Sequence, residues 1–148
     1  MEKPIYPIRV SESRLWYEFE SISEQKIVTK AIAFYADYQN SESFELIFGD
    51  LRSDGTIDVK TQSKNRDMTQ ILGTVMQTVY YFFELYPSKN VTFMGSTDSR
   101  NRLYRVLISK FLLEQDDHFQ VFGLTFDNEF ELFESNKDYF SYKIILKP

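Results

Sequence analysis

The hydrophobic period of this chain changes near residue 66, and that change does most to limit the folds open to it. Before it, residues 16–22 (WYEFESI) and 26–37 (KIVTKAIAFYAD) alternate apolar and polar side chains, with Val28, Ile32 and Phe34 on one side. A repeat of two is the signature of a strand with one face buried. Ser23, Glu24 and Gln25 between these segments predict a hairpin connection. A third strand is expected over 43–51, after the turn formers Gln39, Asn40 and Ser41, with Ser53-Asp54-Gly55 as the next tight turn. After the change, Met68, Leu72, Val75, Val79, Phe82 and Tyr86 recur at spacings of three and four, an apolar helical stripe. Asn65 or Asp67 is placed to cap that helix and Pro87 to end it. Gly73 within it costs about 1 kcal/mol against alanine, so we expect a close helix-to-sheet approach there.

The remainder reads as a strand at 91–94, a helix at 99–114 burying Leu103, Leu107 and Phe111, and strands at 119–126 and 139–146. A further short strand is allowed at 129–134, between turns at Asp127-Asn128 and 135–138. The order β-β-β-α-β-α-β-β predicts an α+β fold. It would be a mostly antiparallel sheet of about six strands with two helices on one face. No linker or repeat divides the 148 residues, so a single domain over 1–148 is expected, with 1–14 as an extended N-terminal arm.

Composition excludes several kinds of function. With no cysteine, the chain has no disulfide, thiolate metal site or cysteine nucleophile. No apolar run approaches the roughly 20 residues of a membrane span, and the first ten residues lack a signal-peptide pattern; a cytoplasmic protein without a membrane partner is expected. The net charge of −5 argues against a chain that coats nucleic acid through phosphates, while leaving room for a compact basic patch. Aromatic content is high, with 14 Phe, 10 Tyr and 1 Trp. Sheet and core packing is the expected use, and a base-stacking platform the alternative.

One segment carries unusual electrostatics. From Met94, the chain runs through Gly95, Ser96, Thr97, Asp98 and Ser99 into a predicted helix bearing Arg100, Arg102, Tyr104 and Arg105. A helix start has N–H groups without intrahelical partners, and so receives anions readily. Ser96, Thr97 and Ser99 add hydroxyl donors. Three guanidinium groups near that end oppose the helix dipole by about 0.3–1 kcal/mol each at exposed positions. A bound phosphate would offset this cost, and so would internal pairing; Asp98 stands four residues before Arg102. The segment lacks the second glycine and the Lys-Ser/Thr pair of a P-loop.

Other chemistry is sparse. His118 is the sole histidine and lies beside Asp116 and Asp117, which reads as ordinary surface. Asp50, Asp54 and Asp58 straddle a strand end and a turn without a calcium-loop pattern. No metal and no cofactor is expected, and no nucleophile, base and stabiliser assemble from spacing, so catalysis is the less expected role. In an enzyme, Asp50, Asp67 or His118 would be the proton-transfer group.

The stretches LGTVMQTVYYFFELYP and GSTDSRNRLYR resemble an uncharacterised family of small single-domain proteins of Bacteroidetes-type bacteria. The residues that carry the resemblance are Thr74, Val75, Thr78 and Val79, and Gly95, Ser96, Thr97, Arg100, Arg102, Leu103 and Tyr104. It implies no activity. A strand-rich first half followed by a long helix also resembles, at the level of fold alone, the Whirly and coactivator type of single-stranded DNA-binding domain. A strand and second helix intervene where that fold has none.

Two functions are therefore expected as alternatives. One is a module binding a phosphate-bearing ligand or single-stranded nucleic acid through Gly95, Ser96, Thr97, Ser99, Arg100, Arg102 and Arg105, with Tyr104 stacking. The other is a protein-interaction or structural module, a homodimer formed through sheet edges or the aromatic surface.

Overall fold

Alternation along Trp16–Ile22 turns Tyr17, Phe19 and Ser21 to one face, and all three are buried. The computed structural model describes residues 5–59, 67–95, 97–113 and 118–147. Its contacts sort into two compact units, Met1–Tyr35 with Leu46–Leu85, and Ala36–Glu45 with Tyr86–Pro148.

In the first unit, β1 (Arg9–Val10) pairs with β2 (Trp16–Ile22), and β2 pairs antiparallel with β3 (Ile27–Asp37) in the register Tyr17↔Ile32 and Phe19↔Lys30. The later part of β4 (Asn40–Leu51) carries the two-residue β5 (Ile57–Asp58), with Asp50 opposite Asp58. Helix α1 (Met68–Leu85) buries Ile71, Leu72, Val75, Met76, Val79, Phe82 and Phe83. Phe82 stacks on Phe34 with centroids 4.9 Å apart, and Tyr81 stacks on Tyr17. A fully buried side chain of this size contributes about 1.5–3 kcal/mol over its exposed state, so this aromatic seam supplies much of the unit's cohesion.

Polar groups inside this unit are partnered. Thr74 donates to the Gln70 carbonyl (2.8 Å) and accepts from the Tyr6 amide (2.9 Å), and Thr78 donates to the Val75 carbonyl. The described part of the expected N-terminal arm is anchored at Tyr6, and residues 1–4 lie outside the described residues. Tyr6 is buried against Phe19, its hydroxyl donates to Asp67 and accepts from the Ile22 amide, and Asp67 also accepts from Ser21. Asp67 stands just before α1, and its carbonyl accepts from the Ile71 amide. The ammonium of buried Lys30 pairs with Asp50, as a charge in that position must.

In the second unit, residues 43–45 of β4 run parallel to β6 (Asn90–Phe93). The order continues antiparallel through β9 (Ser141–Leu146), β7 (Phe119–Leu124) and β8 (Phe130–Leu132). Helix α2 (Asp98–Leu107) follows β6 and passes into a π-helical turn, Ile108–Leu113. Tyr104 packs edge-on against Phe93, which stacks on Tyr142, and Ile108 is fully buried.

These findings correct the expected sheet of about six strands: nine strands form among the described residues. The additions are β1 and β5, of two residues each, together with the three-residue β8 where a further short strand is allowed at 129–134. Pieces that short leave no period to read and are held in place by their neighbours' backbone. Helix α1 packs within the first unit and α2 within the second. The expected helix over 99–114 is α-helical only as far as Leu107.

Gly123 in β7 is required by close packing. A Cβ there would lie 2.3 Å from the ring of Tyr139, which is fully buried beneath the strand. We predict that Gly123→Ala lowers unfolding free energy by about 1–3 kcal/mol. Urea denaturation checks this, and an unchanged midpoint at equal slope would show that the ring yields freely.

Candidate functional site

The loop from β6 to α2 is closed on itself by Asn101. Its side-chain oxygen accepts from the Gly95 amide at 3.2 Å, its side-chain nitrogen donates to the Tyr139 carbonyl, and its own amide bonds the Thr97 carbonyl. The Gly95 N–H that a ligand would use is thus engaged within the protein. Tyr104 is 7% exposed and belongs to the core, so its ring is not offered for stacking. Arg105 lies in the last turn of α2, beyond the first turn where the dipole acts strongly, and it pairs with Asp138. Arg102 is exposed and has no ion pair among the described residues. Thr97 is exposed. Ser96 lies outside the described residues, and Ser99 and Arg100 are placed only as backbone in the first turn of α2.

The remaining candidates are held in structural contacts. Asp50 serves Lys30, Asp54 accepts from both the amide and hydroxyl of Thr56 in its turn, and Asp58 lies 3.6 Å from Arg52. Asp67 is committed to Tyr6 and Ser21, and His118 is exposed at the entry to β7. Asn65 and Arg66 fall outside the described residues. Among the described residues, no three His, Cys, Asp or Glu side chains are grouped to hold a metal ion. A cavity of about 190 Å³ in the first unit is bordered by Tyr6, Pro7, Ile8, Arg9, Glu20 and Ile22. Its two charges are spent on each other: Arg9 bonds Glu20 and holds that carboxyl below its ordinary range.

The surface that stands out was not singled out by motif. In β7 and β8, Phe122 faces Leu132 and Leu124 faces Phe130; in β9, Lys143 faces Phe122. Directly opposed residues share a face. One face of this ladder therefore carries Phe122, Leu124, Phe130 and Leu132 around the Lys143 side chain. The Lys143 ammonium sits 4.2 Å from the Phe130 ring centre and 5.4 Å from that of Phe122, a cation–π arrangement. Phe130 is 48% and Leu132 59% exposed, and the turns at the strand ends add Phe126 at 72% and Phe140 at 50%, in edge-on contact. The sequence did carry a signal for it, namely apolar residues in a segment too short to bury them.

The opposite face is anchored by tyrosine. Tyr139 donates to Glu131 at 2.8 Å and accepts from the Glu134 amide at 3.1 Å, while Lys137 bonds both oxygens of Glu131. Burial, reinforced by the Glu131 carboxylate, pushes the Tyr139 hydroxyl up to about 12, and burial pushes Tyr142 up to about 12. The folded chain holds these two protons more tightly than the unfolded chain, where tyrosine titrates near 10. The stability they confer is intact below that value and is lost as pH rises through about 12. We predict that Tyr139 and Tyr142 are among the late-titrating tyrosines by ultraviolet tyrosinate absorbance, and that the alkaline loss of stability is weaker in Tyr139→Phe.

No helix among the described residues is long and apolar enough to cross a membrane. Neither the curated proteins nor the solved structures contain a match to this chain. One family model covers residues 2–147, and on that match the chain belongs to DUF6934, a family of unknown function.

Proposed function

We propose that this protein is a protein-interaction module whose working surface is the aromatic face of β7, β8 and β9. The observation that carries the reading is the joint exposure of Phe126, Phe130, Leu132 and Phe140 along one strand-and-turn system. Isolated apolar side chains on a surface are ordinary, whereas a contiguous group marks a surface that is covered in use. About half the area of three phenylalanines and a leucine comes to roughly 400 Å². That is half of what one partner contributes to an interface of standard size, about 800 Å².

Exposed positions tolerate substitution, so Phe130→Lys with Leu132→Lys should fold normally while losing the surface. Recovery of bound proteins from cells should yield a partner with the wild-type chain that the double variant fails to retain. Identical recoveries from the two chains would remove the reading.

A phosphate-bearing ligand, above all single-stranded nucleic acid, is the second reading. It is supported by Arg102, exposed and without an ion pair among the described residues, and by Lys143 set between two aromatic rings. On this reading, the Gly-Ser-Thr segment with its arginines is the mark that bacterial members of the family share. Filter binding of an oligonucleotide across salt separates the two proposals. The first predicts no saturable binding at moderate salt, and the second predicts binding that Arg102→Glu abolishes.

A further inference from the structure

Strand β8 is the last of its ladder among the described residues. The Thr125 amide bonds the Glu129 carbonyl, and the Phe133 amide bonds the Val121 carbonyl. With Gly123 opposite Glu131, residues 129, 131 and 133 therefore turn their backbone groups towards β7. The N–H and C=O groups of Phe130 and the N–H of Leu132 point the other way, to the open edge, and the Leu132 carbonyl on that side also accepts a long bond, 3.4 Å, from the Tyr139 hydroxyl. These are the same two residues whose side chains stand exposed on the aromatic face. An added strand would gain backbone hydrogen bonds and apolar contacts from the same two positions.

The edge is acidic. Between residues 125 and 140 the chain carries Asp127, Glu129, Glu131, Glu134 and Asp138 against a single Lys137. Glu131 is engaged by Lys137 and Tyr139, and Asp138 by Arg105. Asp127, Glu129 and Glu134 have no ion pair among the described residues. A second copy docking edge to edge would bring these carboxylates against their own counterparts, and a nucleic acid would bring phosphates against them.

Resting on the interaction reading above, we propose that the occupant of this edge is an extended, basic peptide segment of another protein, which adds as a strand to β8. Its alternate residues are apolar and lie beside Phe130 and Leu132. Lysine or arginine between and around them meets Glu129 and Glu134.

The test is selection from a displayed library of random peptides about ten residues long, the length of a long strand. Three proteins serve as targets: the full chain, Phe130→Lys with Leu132→Lys, and Glu129→Lys with Glu134→Lys. Each variant is first checked for an unchanged thermal melt. Peptides with apolar residues at every second position and Lys or Arg between them should be enriched on the wild type. Their binding should fall by more than about tenfold on either variant, which is about 1.4 kcal/mol, and should weaken with salt. Methylation of alternate amides along one edge of the best peptide should abolish binding.

Acidic winners, winners with helical spacing, equal enrichment on the charge-reversed variant, or no enrichment at all would overturn the proposal. So would a concentration-stable dimer by sedimentation with amide protection confined to residues 130–132. If those outcomes appear while the Phe130 and Leu132 double variant still loses its cellular partner, only the peptide assignment fails. If that partner persists, the interaction reading itself has failed.

Discussion

The strand ladders of this protein turn side chains to both faces, and in each unit a helix packs against one of them. That constraint shapes the rest. In the first unit, α1 lies against the Tyr17, Phe19 and Phe34 face and is itself buried on most sides. Its polar interior is bonded group by group, through Thr74, Thr78, Tyr6 and Asp67, because an unpartnered donor or acceptor there costs about 1–3 kcal/mol. In the second unit, α2 and its π-helical continuation cover the face of Phe93 and Tyr142. The other face of β7 and β8 keeps Phe130 and Leu132 in contact with water.

The architecture of that second ladder depends on Tyr139. Its ring occupies the space under Gly123, and its hydroxyl ties Glu131 of β8 to the turn that begins at Glu134. A three-residue strand has too few ladder bonds to hold itself, so β8 is kept in register from beneath. Glu131 is satisfied on that inner side, while Phe130 and Leu132 are left outward. Rigid support under an exposed apolar edge is the arrangement expected of a surface that works by docking, since ordering the surface in advance lowers the cost of binding.

The arginine segment shows why an electrostatic argument from sequence stops short. Its dipole reasoning concerns the first turn, and Arg105 lies outside that turn with Asp138 as its neighbour, a carboxylate 33 residues away in the chain. Asn101, an unremarkable residue in the sequence, closes the loop by bonding Gly95 and Tyr139. Tyr104 was placed at the ligand on spacing alone, and packing against Phe93 takes it into the core.

By itself, the sequence determined the long strands and the stripe of α1, because hydrophobic period is a local property that survives without knowledge of the fold. Only the tertiary structure decided the two-residue strands β1 and β5, the partners of each charge and which aromatic faces remain uncovered. Those outcomes depend on which distant segments meet, and neither the parallel pairing of β4 with β6 nor the place of β8 at the edge is written in any local run of residues.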